Sequence, residues 1–132
     1  MKLIFILLLS LNLFAGDLIT SEREDKAISD LIGNLKKDVW ERGHDNIEVE
    51  RELFDDVRFE RFLEKEMPHM EEVLVAEDIT NFKNCLISES CKLYKVNVSS
   101  EYYGGYGFDY HFIKYNSLSG EVKVETFSGY NE

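Results

Sequence analysis

Proline is nearly missing from this chain of 132 residues: Pro68 is the only one. That excludes a proline-rich linker or a polyproline recognition segment. Cysteine is scarce as well, with Cys85 and Cys91 the only two. Two thiols do not make a disulfide-dense scaffold and do not complete a four-ligand zinc site. Their C-x5-C spacing is not the redox C-x-x-C motif. Positive charge is in short supply: 15 Lys and Arg stand against 26 Asp and Glu, for a net charge of −11. A field of that sign repels nucleic acid and anionic membranes and favours basic partners, cations or plain solubility. Catalytic signatures are missing too. There is no G-x-S-x-G, no H-E-x-x-H and no P-loop. Gly104-Gly105-Tyr106-Gly107 lacks the following Lys-Ser/Thr and does not open a helix.

What is present begins with an address. Met1-Lys2 supplies one positive charge, Leu3 to Phe14 is an apolar run broken only by Ser10 and Asn12, and Ala15-Gly16 are small. This is the n-, h- and c-region pattern of a secretory signal peptide. The apolar run is shorter than the roughly 20 residues needed to span a bilayer. No cysteine follows it to accept a lipid. Residues 1–16 are therefore expected to be a cleaved leader and residues 17–132 a single domain. The expected location is secreted or periplasmic, with no stable membrane anchor after cleavage. Lys2 is the only charge in the leader, so the mature chain would carry 14 basic against 26 acidic residues. In an oxidising compartment Cys85 and Cys91 are expected to be joined.

The charge and the aromatics are segregated. Acid is dense before Asp78, whereas all seven tyrosines lie between Tyr94 and Tyr130. Ser21-Glu22-Arg23-Glu24 has capping-box spacing, and Ile28, Leu31, Ile32, Leu35 and Val39 recur at helical period. This predicts a helix from about Glu22 to Arg42, ended by Gly43. Leu53, Phe54, Val57, Phe62, Leu63 and Met67 read as a second amphipathic helix from Asp55 or Asp56 to Pro68, with Phe59 off the stripe. Residues 69–90 are compatible with helix or strand. From Cys91 the period becomes two: Val96 and Val98, then Tyr106, Phe108, Tyr110 and Phe112 on one face, then Val122 and Val124. Asn116 to Gly120 is a turn. The expectation is an α+β fold, with N-terminal helices packed on a C-terminal antiparallel sheet of three to four strands. Its architecture is of the cystatin-like or a similar helix-on-sheet kind. The aromatic face is expected to meet the stripe of Ile28, Leu31, Ile32 and Leu35.

Several groups are candidates for function. Tyr102, Tyr103, Gly104, Gly105 and Tyr106 form a tyrosine–glycine loop, a composition suited to partner contact. Met67, His69 and Met70 flank the only proline. Thioether and imidazole donors suit copper, although two methionines at this spacing also serve as core fillers. Asp109 and His111 share a strand face, as half of an acid–base device, with no nucleophile in register. Asn97-Val98-Ser99 is a glycosylation sequon lying in a strand. With no catalytic constellation and no implied cofactor, the expected function is that of a small exported non-enzymatic binding protein. It would be inhibitor- or immunity-like, taking a basic protein partner rather than nucleic acid. The alternative is a periplasmic copper-handling protein using Met67, His69 and Met70.

Overall fold

A computed structural model describes the backbone of residues 2–131 and the side chains of residues 22–130. The chain runs as α1 (Lys2–Glu41), β1 (Asp45–Leu53), α2 (Asp56–Lys65), a 3-10 turn (Met67–His69), α3 (Ala76–Ile87), β2 (Cys91–Tyr102), β3 (Gly105–Asn116) and β4 (Val122–Asn131). The four strands form one antiparallel sheet in the order β1-β2-β3-β4. The fold is thus α+β, with helices packed on an antiparallel sheet. β1 is the brief alternation at Ile47 and Val49, and it enters the sheet from between the first two helices. The undecided stretch 69–90 holds α3. The leader expected over residues 1–16 falls on side chains outside those described. Among the described residues no helix is long and apolar enough to cross a membrane.

Two expectations about the first helix need correction. Its backbone continues through Ser21 rather than starting there. Glu24 does not reach back to cap it. Glu24 is buried, where it accepts a 2.9 Å hydrogen bond from the Tyr94 hydroxyl and pairs with Lys92 at 2.8 Å. A carboxylate offered two donors by the sheet is better satisfied there than at a helix end. The second helix is also rephased. Asp55 is its N-cap and accepts from the Arg58 amide at 2.8 Å. Phe54 before the cap then meets Phe59 in the first turn, ring centroids 6.0 Å apart, as a hydrophobic staple. The buried stripe is Phe59 and Phe62, while Val57 is exposed.

The aromatic strand face does not meet α1. Tyr110 and Phe112 pack with Phe54, Phe59, Phe62, Phe82, Leu93 and Phe127, under α2 and α3. The alternate residues, Ile113 and Tyr115, join Tyr94, Val96, Val98 and the Ile28–Val39 stripe of α1. Strands β2 and β3 are therefore apolar on both faces, and each face takes the helices that match its shape. Aliphatic α1 lies over valines and isoleucine. Phenylalanine-bearing α2 and α3 interlock with the rings, as in the stacked Phe82–Phe112 pair at 4.8 Å and the edge-on Phe62–Phe112 pair at 5.3 Å.

Cys85 in α3 is bonded to Cys91 at the start of β2, with Cα atoms 5.1 Å apart. The bridge ties the end of α3 to the sheet. At the far end of β3, Asn116 accepts the Leu118 and Ser119 amides on its side-chain oxygen, and Gly120 closes the turn at φ +77°.

Phe112 is fully buried amid Phe54, Phe62, Phe82 and Phe127, whereas Phe108 at the strand's end is only half-buried. Phe112→Ala is expected to cost about 3–5 kcal/mol and Phe108→Ala distinctly less. Denaturant midpoints of the two variants measure this. Equal losses would place Phe108 in the same core.

Candidate functional site

The tyrosine–glycine segment is the hairpin turn between β2 and β3. Tyr102 pairs with Gly105, and Gly104 takes φ +85°, a conformation other residues resist. The turn brings the five residues together but divides their side chains. Tyr102 lies on the α1 face, its ring 5.1 Å from His44. Tyr106 lies on the opposite face, 5.7 Å from Tyr130. Tyr103, at the tip, is fully exposed.

Tyr130 was not visible in the strand pattern. The β3–β4 register steps from Phe108↔Tyr130 to Asp109↔Ser128, leaving Gly129 as the extra residue of a bulge. The bulge reverses which face the following residue takes. Tyr130 thus sits 5.3 Å from Phe108 beside Tyr106. A Cβ at position 129 would come within 2.6 Å of the Phe108 ring and 2.7 Å of its carbonyl, so glycine is required. The Gly129 carbonyl accepts the Glu71 amide at 2.7 Å, and that of Ser128 accepts from Glu72 at 3.0 Å. An acidic segment is thereby laid along the edge of β4. A glycine within a strand was the one available signal for this feature. Trp40, exposed in the last turn of α1, stands at the same end of the sheet, where the chain passes through His44 into β1.

The Met-His group is separated. Met70 is buried in the aromatic core with Met67 packed against it, while His69 is exposed. Among the described residues no cluster of three or more His, Cys, Asp or Glu is placed to hold a metal. Asn97 lies inside β2, paired with Glu50 on one side and Tyr110 on the other.

Asp109 and His111 do share a face, the one under the end of α1, but His111 is held by Thr126 through a 2.8 Å Nδ1–Oγ1 hydrogen bond. Beside them His44 bonds Ser100, Nδ1 to Oγ, at 2.7 Å. Ser100 is buried at 4% exposure, so this histidine–serine pair has no open path for a substrate to its hydroxyl. Burial raises the Asp109 carboxyl above its ordinary value, opposed by nearby Arg42. Burial, aided by Arg42, lowers His111 to about 4. These groups make a polar seam between α1 and the sheet.

On the other face, Lys95 is buried at 4% exposure. Its ammonium lies 2.7 Å from Glu66 and 3.5 Å from Glu52. The rings of Phe54, Phe62 and Tyr110 surround it at 5.4, 5.5 and 5.6 Å. A buried cation with two carboxylates and three ring faces is fully compensated. It anchors α2 to the sheet. Comparison with protein-family models, with curated proteins and with solved structures gives no match, so function is read from this geometry alone.

The unfolded chain protonates His111 near 6.5, and the folded protein only near 4. Between these values the unfolded state holds more protons, so stability rises with pH, by up to about 3 kcal/mol across the whole interval. Raised Asp109 acts in the opposite sense over the carboxylate range. His111→Gln, which keeps a partner for Thr126, is expected to flatten the stability profile between about pH 5 and 6.5. Urea melts of both proteins across that window provide the check. Parallel profiles would mean that His111 titrates alike in the folded and unfolded chain.

Proposed function

We propose that this is a small exported, non-enzymatic binding domain of the inhibitor or immunity type, and that it engages a basic protein through the hairpin end of its sheet. The observation that carries the reading is the convergence there of exposed aromatic side chains on a well-packed body. Tyr103 is fully exposed, Trp40 is 67% exposed and Tyr130 is 39% exposed. Tyrosine and tryptophan offer large contact area at low entropic cost. Glu101, Glu71 and Glu72 frame the same end, and the net charge of −11 steers cationic partners to it. Export is supported by the leader pattern of residues 1–16 and by the Cys85–Cys91 disulfide.

Immobilised mature protein should retain a basic protein from the exported fraction of its own cell, in a salt-sensitive manner. With that protein purified, Trp40→Ala together with Tyr103→Ala should weaken binding at least tenfold at an unchanged melting temperature. Unchanged affinity would remove the hairpin end from the interface. Failure to retain any basic protein at low salt would overturn the reading.

A further inference from the structure

The two edges of the sheet are finished differently. An edge strand presents unpaired N–H and C=O groups that another strand can join. At β1 this edge is blunted. Asn46 takes φ +50° where the β1–β2 register slips, and such a bulge twists the strand end away from a newcomer. The Leu53 carbonyl already accepts from the Arg58 guanidinium at 2.9 Å. Glu48, Glu50 and Glu52 follow one another on one face of β1. A second β1 laid against them would therefore oppose carboxylate to carboxylate.

β4 is closed at one end only. The carbonyls of Ser128 and Gly129 point out from the sheet and accept the Glu72 and Glu71 amides. Antiparallel bonding alternates along a strand, and Asn116 bonds Glu121 across the hairpin at 2.9 Å. The outward main-chain groups upstream of Ser128 are therefore those of Val122, Val124 and Thr126. Among the described residues no segment bonds to them. α1 is set over β1 and β2, so Val122 and Val124 at the flank of its cluster are only half-buried, and Thr126 is exposed. Lys123 and Glu125 alternate with them on the other face. Glu125 has no ion pair among the described residues, and Lys123 reaches only Glu121, at 4.0 Å.

We propose that the open edge of β4 is joined by the same edge of a second copy of this chain, so that two sheets become one about a two-fold axis at Val124. Outward groups bond only to outward groups, which restricts antiparallel self-pairing to registers that set even-numbered residues against even-numbered ones. Charge and the neighbouring bonds choose among these. Centring on Lys123 or on Glu125 would oppose like charges at the axis. Centring on Val122 runs Val124 into the turn at Gly120, whose amide is held by Asn116. Centring on Thr126 runs Val124 into Ser128, already taken by Glu72. Centring on Val124 sets it against its own copy, Val122 against Thr126 twice and Lys123 against Glu125 twice. Every outward group of the open stretch is then bonded, both Lys–Glu pairs are cross-strand neighbours, and the half-buried valines of the two copies meet in line. So short an interface makes a weak, reversible dimer. The pairing does not depend on the binding reading above. It places the two hairpin ends at opposite ends of the joined sheet and leaves both free.

The test uses the mature protein with its disulfide intact, followed by sedimentation velocity from micromolar to near-millimolar concentration at physiological salt. A reversible monomer–dimer equilibrium is expected. Lys123→Glu and Glu125→Lys should each weaken it by roughly tenfold or more, although they move the net charge in opposite directions. Mixed in equal amounts, the two variants should associate as tightly as the parent chain, because each supplies the charge the other needs. If either reversal lowers the melting temperature, the exchanged chain, Lys123→Glu with Glu125→Lys, keeps the comparison: it restores both pairs within one sequence and should dimerise like the parent. A chain that stays monomeric at the highest concentration would overturn the inference. So would a dimer indifferent to both reversals, a pair of variants or an exchanged chain that fails to associate, or an open assembly larger than a dimer.

Discussion

Strands β2 and β3 pair along their whole length and bury apolar side chains on both of their faces, Tyr110 and Phe112 on one and Ile113 and Tyr115 on the other. An antiparallel sheet usually leaves one face to water; this one cannot. The two-sided demand accounts for the order of the chain. A single long helix supplies the aliphatic cover. A second pair, joined by a 3-10 turn, supplies the aromatic one. β1 has to enter the sheet between them, because the chain must pass from one layer to the other. The buried charges follow from the same demand. Glu24 and Lys95 each stand where a helix docks on the sheet, one per face, and each is matched by opposite charge from the facing element. Such pairs add little net stability, but a helix sliding along the sheet would leave one charge alone.

Much of the fold was readable before the structure, because the strongest signals are periodic. The Ile28–Val39 stripe, the alternation after Cys91 and the turn at Asn116–Gly120 depend on spacing and residue type, and the disulfide was expected from the export address of residues 1–16. What was lost was assignment between partners. Periodicity says that Phe108, Tyr110 and Phe112 share a face, but it does not say which helix covers them. Ring size was the better guide, since phenylalanines at 54, 59, 62 and 82 were waiting for aromatic neighbours. Phe59 looked misplaced only because the helix was phased from Leu53; the cap at Asp55 moves the phase. Residues 69–90 stayed ambiguous because β-branched and apolar residues there satisfy both periods.

The candidate site was legible in part. The hairpin turn was marked by its glycines, and its position at the end of the sheet follows from strand length. The opposite facing of Tyr102 and Tyr106 requires the register, and the participation of Tyr130 requires a bulge.

The bulge at Gly129 is a change of phase in β4. Before it, odd-numbered positions face the aromatic layer, as Phe127 does; after it, even-numbered ones do, as Tyr130 does. The makeup of the aromatic rim is therefore written in the backbone and not in the side chain that occupies it. Regular pairing at this point, with Gly129 itself opposite Phe108, would keep every aromatic in the sequence and still turn Tyr130 over to the other side of the sheet. Descendants of this chain can vary the ring at 130 freely, and loss of Gly129 would leave that ring opposite Phe108 on the same face, but a bulge straightened with Gly129 in place would change the surface more than any single substitution there.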